Sequence, residues 1–190
     1  MLKNLSDYHL ILGSQSPRRQ ELIKGLDIDV EIKNIDVEEN YPEKLIGAEI
    51  PVFLAEKKAD AYQLARDTLL ITADTIVWME NNVLGKPKTE DDAREMLNML
   101  SGKTHQVITG VCISSLKKRK TFHAISNVRF SAVGEEEIDY YIKKYRPLDK
   151  AGAYGVQEWI GYIGVEYIEG SYYNIMGLPI QKLYTELKKW

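Results

Sequence analysis

The string Gly13-Ser14-Gln15-Ser16-Pro17-Arg18-Arg19 sets small and hydroxyl residues before a helix start and two guanidinium groups on its first turn. Free N–H groups at a helix N-terminus carry partial positive charge, and an arginine fork matches phosphate oxygens. The string therefore has the outline of an anion site that needs no P-loop lysine. It also reads as an ordinary capped helix with a solvated arginine pair, and locally that reading is the simpler one. Ala73-Asp74-Thr75 follows an apolar run, at the place where open α/β sheets put ligand-binding residues. Asp74 is there either a general base or metal ligand, or a turn aspartate bonded to the backbone. Glu38 and Glu39 offer the hard oxygen donors that Mg²⁺ or Mn²⁺ takes, or form a solvated acidic loop. A further set is cationic: Lys58, Lys86 in Gly85-Lys86-Pro87, and Lys150 in Asp149-Lys150-Ala151-Gly152-Ala153-Tyr154-Gly155-Val156-Gln157. Singly, each lysine reads as a surface charge. In the last segment the small residues permit close backbone approach to a ligand, and Gln157 offers both donor and acceptor to a base edge.

These residues need elements to hold them. Residues 8–12 read as a strand, followed by a turn and a helix over 18–26 with Ser16 as N-cap and Pro17 at the first helical position. Alternation of apolar and polar residues predicts a strand over 28–35, with the acidic residues 36–39 after it and Tyr41-Pro42 breaking the pattern. Helical spacing of Val52, Ala55, Ala59 and Tyr62 predicts a helix over 51–64. Residues 69–72 form a buried strand that delivers Asp74 to its end, 76–79 continue extended, and Glu80-Asn81-Asn82 makes a tight turn. A helix over 89–100 has Thr89 as N-cap, acidic residues in its first turn and Ser101-Gly102 as its stop. Strands over 106–115 and 121–130 flank a basic turn at 117–120, whose charges keep a hairpin tip solvated. A helix over 135–144, a strand over 162–168 and a closing helix over 179–187 complete the pattern. Alternating strands and helices indicate an α/β fold with a mixed sheet.

Composition narrows the function. With 190 residues, 44% hydrophobic and 28% charged, the chain suits one globular domain over residues 1–190, and no linker or repeat divides it. Two lobes, with residues 106–145 on one side of a cleft, are the alternative that the long hairpin suggests. The net charge of −3 gives no field for nucleic acid or anionic lipid, so a phosphate site has to be built locally. No apolar run approaches membrane-helix length and the first residues lack a signal-peptide build, so a cytoplasmic protein is expected. Cys112 lies in an apolar run and reads as a half-buried strand residue. His9, His105 and His123 are too scattered for a zinc site.

Taken together and in order, Gly13 to Leu22, Leu54-Ala55-Glu56-Lys57-Lys58-Ala59, Ala73-Asp74-Thr75-Ile76-Val77, Leu84-Gly85-Lys86-Pro87, Leu100 to Gly110, Asp149 to Gln157 and Gly177-Leu178-Pro179 resemble the Maf family over nearly the whole chain. The resemblance implies a Maf/ITPase-like α/β fold, a mixed twisted sheet with flanking helices and a central nucleotide-binding cleft. It implies hydrolysis of nucleoside triphosphates between the α and β phosphates with a divalent cation, Mg²⁺, Mn²⁺ or Co²⁺, in the service of nucleotide-pool house-cleaning. Asp74 would be the proton acceptor. Ser14, Arg18, Arg19, Lys58, Lys86 and Lys150 would hold the substrate, Glu39 with Glu38 and Asp74 would bind the metal, and Arg18, Thr75 and Gln157 match positions tied to substrate choice.

Ala-Asp-Thr together with Gly-Ala-Tyr-Gly-x-Gln resembles the dTTP/UTP branch of the family, so normal or modified pyrimidine nucleotides are the expected substrates. Two positions depart from the family pattern: Gly13, where Ala is usual, and Glu158-Trp159, where a Gly usually follows the Gln. The resemblance also suggests a homodimer. The competing reading from another class is a non-catalytic nucleotide-binding regulator of septum formation.

Overall fold

A computed structural model describes residues 2–190; Met1, from which the residues screened for a signal peptide begin, lies outside them. The strands are β1 (His9–Gly13), β2 (Glu31–Lys33), β3 (Thr68–Met79), β4 (Asn82–Leu84), β5 (Thr104–Ser114), β6 (Arg119–Phe130) and β7 (Val165–Glu169). The α-helices are α1 (Pro17–Lys24), α2 (Glu49–Asp60), α3 (Glu90–Leu100), α4 (Glu135–Tyr145), α5 (Trp159–Gly164), α6 (Tyr172–Ile175) and α7 (Ile180–Lys188). Strand order is β2-β1-β3-β5-β6-β7, with β4 paired to β3. The sheet is mixed: β1 runs parallel to β2 and β3, while β3–β4 and β6–β7 are antiparallel. This is the expected α/β class. No helix among the described residues is long and apolar enough to cross a membrane.

The chain divides into two compact units. The first comprises Met1–Asp74, Thr109–Ala124 and Gly177–Trp190, the second Thr75–Ile108 and Ile125–Met176. The segment 106–145, read from sequence as one lobe, is shared between them. In the first unit a strand's period of two sorts the core. Leu69, Ile71 and Ala73 of β3 pack with Ile23 of α1 and Leu183 and Leu187 of α7. Leu70 packs instead with Ala55 and Ala59 of α2. In the second unit the core gathers Val77 and Met79 of β3, Leu97 and Leu100 of α3, Val128 and Phe130 of β6, and Ile138, Tyr141 and Ile142 of α4.

Several local readings hold. Ser16 caps α1 by accepting from the Arg19 N–H, with Pro17 at the first position. Thr89 and Asp92 form a capping box on α3. Glu80 and Asn81, both with positive φ, make the two-residue turn into β4. Elsewhere tertiary context shifts the elements. The strand over 28–35 shrinks to Glu31–Lys33, which pairs with β1 at the edge of the sheet. Residues 162–164, expected as strand, end α5, whose turn is set by the Gly161 and Tyr162 N–H groups donating to the Glu158 carbonyl at 2.8 and 3.2 Å. The largest shift is in β3, which runs unbroken through Asp74.

Candidate active site

Because β3 continues to Met79, Asp74 is a mid-strand residue, and the reading as a turn aspartate falls away. Alternation puts Asp74 on the face of Leu70 and Thr72, the face covered by α2. Docking of α2 there is close. The Thr72 hydroxyl donates to the Ala55 carbonyl at 2.6 Å, and Gly110 of β5 lies so near the helix that a Cβ would meet the Pro51 carbonyl carbon at 2.3 Å. Lys58 stands one helical turn beyond Ala55 and on the same face. Its ammonium donates to Asp74 Oδ1 at 2.6 Å and to Glu39 Oε1 at 3.1 Å. Only about a tenth of the Lys58 and Asp74 side-chain surface is exposed, against 42% for Glu39. A buried ammonium thus joins two carboxylates from separate segments.

The acidic loop owes its place to the neighbouring lysine. Lys57 Nζ donates to the Glu38 carbonyl at 2.7 Å and the Asn40 carbonyl at 3.2 Å, and also bonds Asn40 Oδ1. The Glu38 side chain is exposed, and this residue serves here through its backbone. The sequence reading overlooked Lys57; its signal was adjacency to Lys58, which turns consecutive helix residues toward different parts of one loop.

The phosphate-type string is also in the first unit. Ser14 is buried and its Oγ accepts from the Ser16 N–H at 3.2 Å. Gly13 lacks the family's methyl where an added Cβ would fall 2.4 Å from Ile35 Cδ1, so that side chain fills the space. Arg18 is half-buried on the first turn of α1. Arg19 turns inward, its Nε donating to the Gly177 carbonyl at 2.7 Å and its Nη1 to the Ala73 carbonyl at 2.8 Å. Burial lowers the Arg19 pKa, against an opposing pull from the Asp74 charge. Arg19 therefore braces the residue before Asp74.

Asp74 and Glu39 meet at the Lys58 ammonium, and their carboxylates are hard oxygen donors of the kind that Mg²⁺ or Mn²⁺ takes. Among the described residues no three His, Cys, Asp or Glu side chains converge as a metal-binding group, so Glu38 does not complete a triad. Mg²⁺ ordinarily takes one or two carboxylates and fills its shell with water and substrate phosphate, and the pair fits that habit.

Thr75, Lys86, Lys150 and Gln157 belong to the second unit. There the Gly152 N–H donates to the Gly85 carbonyl at 3.0 Å, and Gly152, at φ +68°, lies against Val77 of β3. The strand end, the Gly85-Lys86-Pro87 segment and the 149–157 segment are thereby neighbours. Lys86 is exposed, Thr75 half-buried and Lys150 buried. Gln157 Oε1 is buried without a hydrogen-bond partner among the described residues. His105 Nε2 bonds the Tyr154 hydroxyl at 2.7 Å, within that segment.

The chain is 59% identical over 192 residues to a dTTP/UTP pyrophosphatase of Bacteroides thetaiotaomicron and 57% identical over 192 residues to one of Phocaeicola vulgatus, covering all of each chain in both pairs. Among solved structures it is similar to a HAM1 protein from Coxiella burnetii, with a TM-score of 0.53 and 14% identity over 96% of this chain and 100% of that one; this likeness is one of fold. The family model described as Maf-like protein matches residues 9–190. An ordered set of short motifs, a buried Lys58–Asp74 pair carried by α2 and β3, and a match of this length all lead to one assignment: the chain belongs to the Maf family.

Proposed function

We propose that the protein hydrolyses nucleoside triphosphates, dTTP and UTP first among them, to the monophosphate and pyrophosphate. The observation that carries this reading is the Lys58 ammonium held between Asp74 and Glu39 in a chain so similar to enzymes named for that reaction. A polyphosphate tail repels hydroxide, so cleavage between its α and β phosphates calls for fixed positive charge and a positioned base.

Asp74 is the group we assign to orient the attacking water and accept its proton. A base must be rigid to do so. Support comes from the unbroken strand beneath Asp74 and from Arg19, which bonds the adjoining carbonyl. Lys58 is assigned two tasks, fixing the Asp74 carboxylate and offering charge to phosphate oxygens. Ser14, Arg18 and Lys86 are assigned to the polyphosphate, with Thr75 and Gln157 facing the nucleoside and Lys150, bonded to Asp149 and Glu158, supporting the segment that carries Gln157; for Lys86, Thr75 and Gln157 the family motif match is the support. A divalent cation, when bound by Asp74 and Glu39, would supply Lewis-acid charge neutralisation.

Pyrophosphate release from dTTP, UTP, CTP and purine triphosphates, each with Mg²⁺, Mn²⁺ and Co²⁺, tests the reading. Release from dTTP and UTP above the others is the expected result. Nucleotide binding without product from any of them would overturn it in favour of a regulator.

A further inference from the structure

Gln157 stands in the turn Gly155-Val156-Gln157-Glu158, closed by the Glu158 N–H donating to the Gly155 carbonyl at 3.0 Å. Both ends of this turn are tied to one polar cluster. The Gly155 N–H donates to the Tyr141 hydroxyl oxygen at 3.1 Å, and that hydroxyl donates to Glu158 Oε2. The other carboxylate oxygen, Oε1, lies 3.2 Å from Lys150 Nζ, and the same ammonium meets Asp149 Oδ1 at 2.7 Å. Tyr141 is fully buried on α4, and the Glu158 side chain is 20% exposed.

Glu158 occupies the N-cap position of α5, where a carboxylate ordinarily accepts from the second or third helical N–H. It makes no such bond. The side chain folds back over Gly155 instead, where an added Cβ would lie 2.8 Å from Glu158 Cδ. This carboxylate is thus withdrawn from its own helix and committed to the turn. It also stands where the family motif has glycine, a residue with no side chain to make such a clamp. Within the clamped turn, the unpartnered acceptor Gln157 Oε1 is of the kind that a ligand donor satisfies.

We infer that Glu158 is a positioning residue: held by Lys150 and Tyr141, it fixes the 155–158 turn so that the Gln157 amide is set before a nucleotide arrives. The inference rests on the reading above, in which Gln157 faces the nucleoside. Fixing a binding group in advance removes an ordering cost from association, not from bond cleavage. The effect belongs to KM.

Wild type, Glu158→Ala, Glu158→Gln and Tyr141→Phe are compared by kcat and KM for dTTP and UTP. Amide hydrogen exchange across residues 154–158 is followed alongside, since it requires no turnover. Glu158→Ala is expected to raise KM about tenfold with kcat within about twofold, and to speed exchange at the Gly155 and Glu158 amides. Glu158→Gln keeps an acceptor for Tyr141 and restores most of the loss, while Tyr141→Phe falls between. Wild-type KM and exchange in Glu158→Ala, or a fall in kcat at constant KM, would overturn the inference. If Glu158→Ala fails to fold, the near-isosteric pair carries the comparison: wild-type KM and exchange in Tyr141→Phe overturns it, and raised KM with faster exchange supports it. Should wild type release no pyrophosphate from either nucleotide, the assigned reaction is what fails; faster exchange in the variants then still supports the clamp, and unchanged exchange removes it too.

Discussion

Asp74 and Lys58 form a pair whose cost and use are bound together. Taking an ammonium and a carboxylate out of water is repaid only while both remain, so removal of one leaves an uncompensated buried charge. Lys58→Met should lower stability by about 3 kcal/mol, read from chemical denaturation. An unchanged midpoint would mean that water reaches the pair freely. Asp74→Asn keeps the shape and a hydrogen-bonding oxygen but removes the base, and turnover should fall by about 10²-fold or more while nucleotide affinity stays near wild type. Titration calorimetry beside a pyrophosphate assay separates those effects; full activity in Asp74→Asn would dismiss the proposed base. Both residues were visible as candidates in the sequence. Their partnership was not, because sixteen positions of chain separate them and only packing brings them to 2.6 Å.

At the scale of elements, the site depends on how closely α2 lies on the sheet. Gly110 permits that approach, since any Cβ there would sit 2.3 Å from the helix backbone at Pro51 and Val52. Backbone atoms cannot swing aside as side chains can. Gly110→Ala should therefore push α2 outward, costing about 3 kcal/mol and drawing Lys58 away from Asp74. Coupled losses of denaturation midpoint and activity are the expected signature; a stable, active Gly110→Ala protein would show that the helix can retreat without harm. The capping signals at Ser16 and Thr89 were legible because a cap is settled within four residues of chain. Strand extent was less so: the apolar run before Asp74 looked finished at Thr72, whereas pairing with β4 carries β3 on to Met79.

For the molecule as a whole, His105 links pH to stability. It is 2% exposed, edge-on to Phe130 and Tyr154, and its Nδ1 has no hydrogen-bond partner among the described residues. Burial lowers its pKa from 6.5 to about 4. Between those values the unfolded chain takes up a proton that the folded chain refuses. This contribution is fully present above pH 6.5 and is lost as pH falls toward 4, with a slope of up to about 1.4 kcal/mol per pH unit. Denaturation midpoints of wild type should fall across that window, and His105→Phe should flatten part of the slope. Parallel slopes in the two proteins would show that carboxylates alone set the pH response.

Sequence by itself determined the α/β class, the helix starts at Ser16 and Thr89, the Glu80-Asn81 turn and the set of motifs that assign the family, because each is written in a few consecutive residues or in a fixed order of them. Tertiary structure alone decided that Asp74 lies within a strand and not at its end, that Lys58 bridges Asp74 and Glu39, that Arg19 points inward, and that Glu158 serves a turn in place of its helix. The reason is physical: a side chain's charge and length are local properties, but its partner is whatever packing brings within about 3 Å, and packing is fixed by contacts between residues remote in the chain.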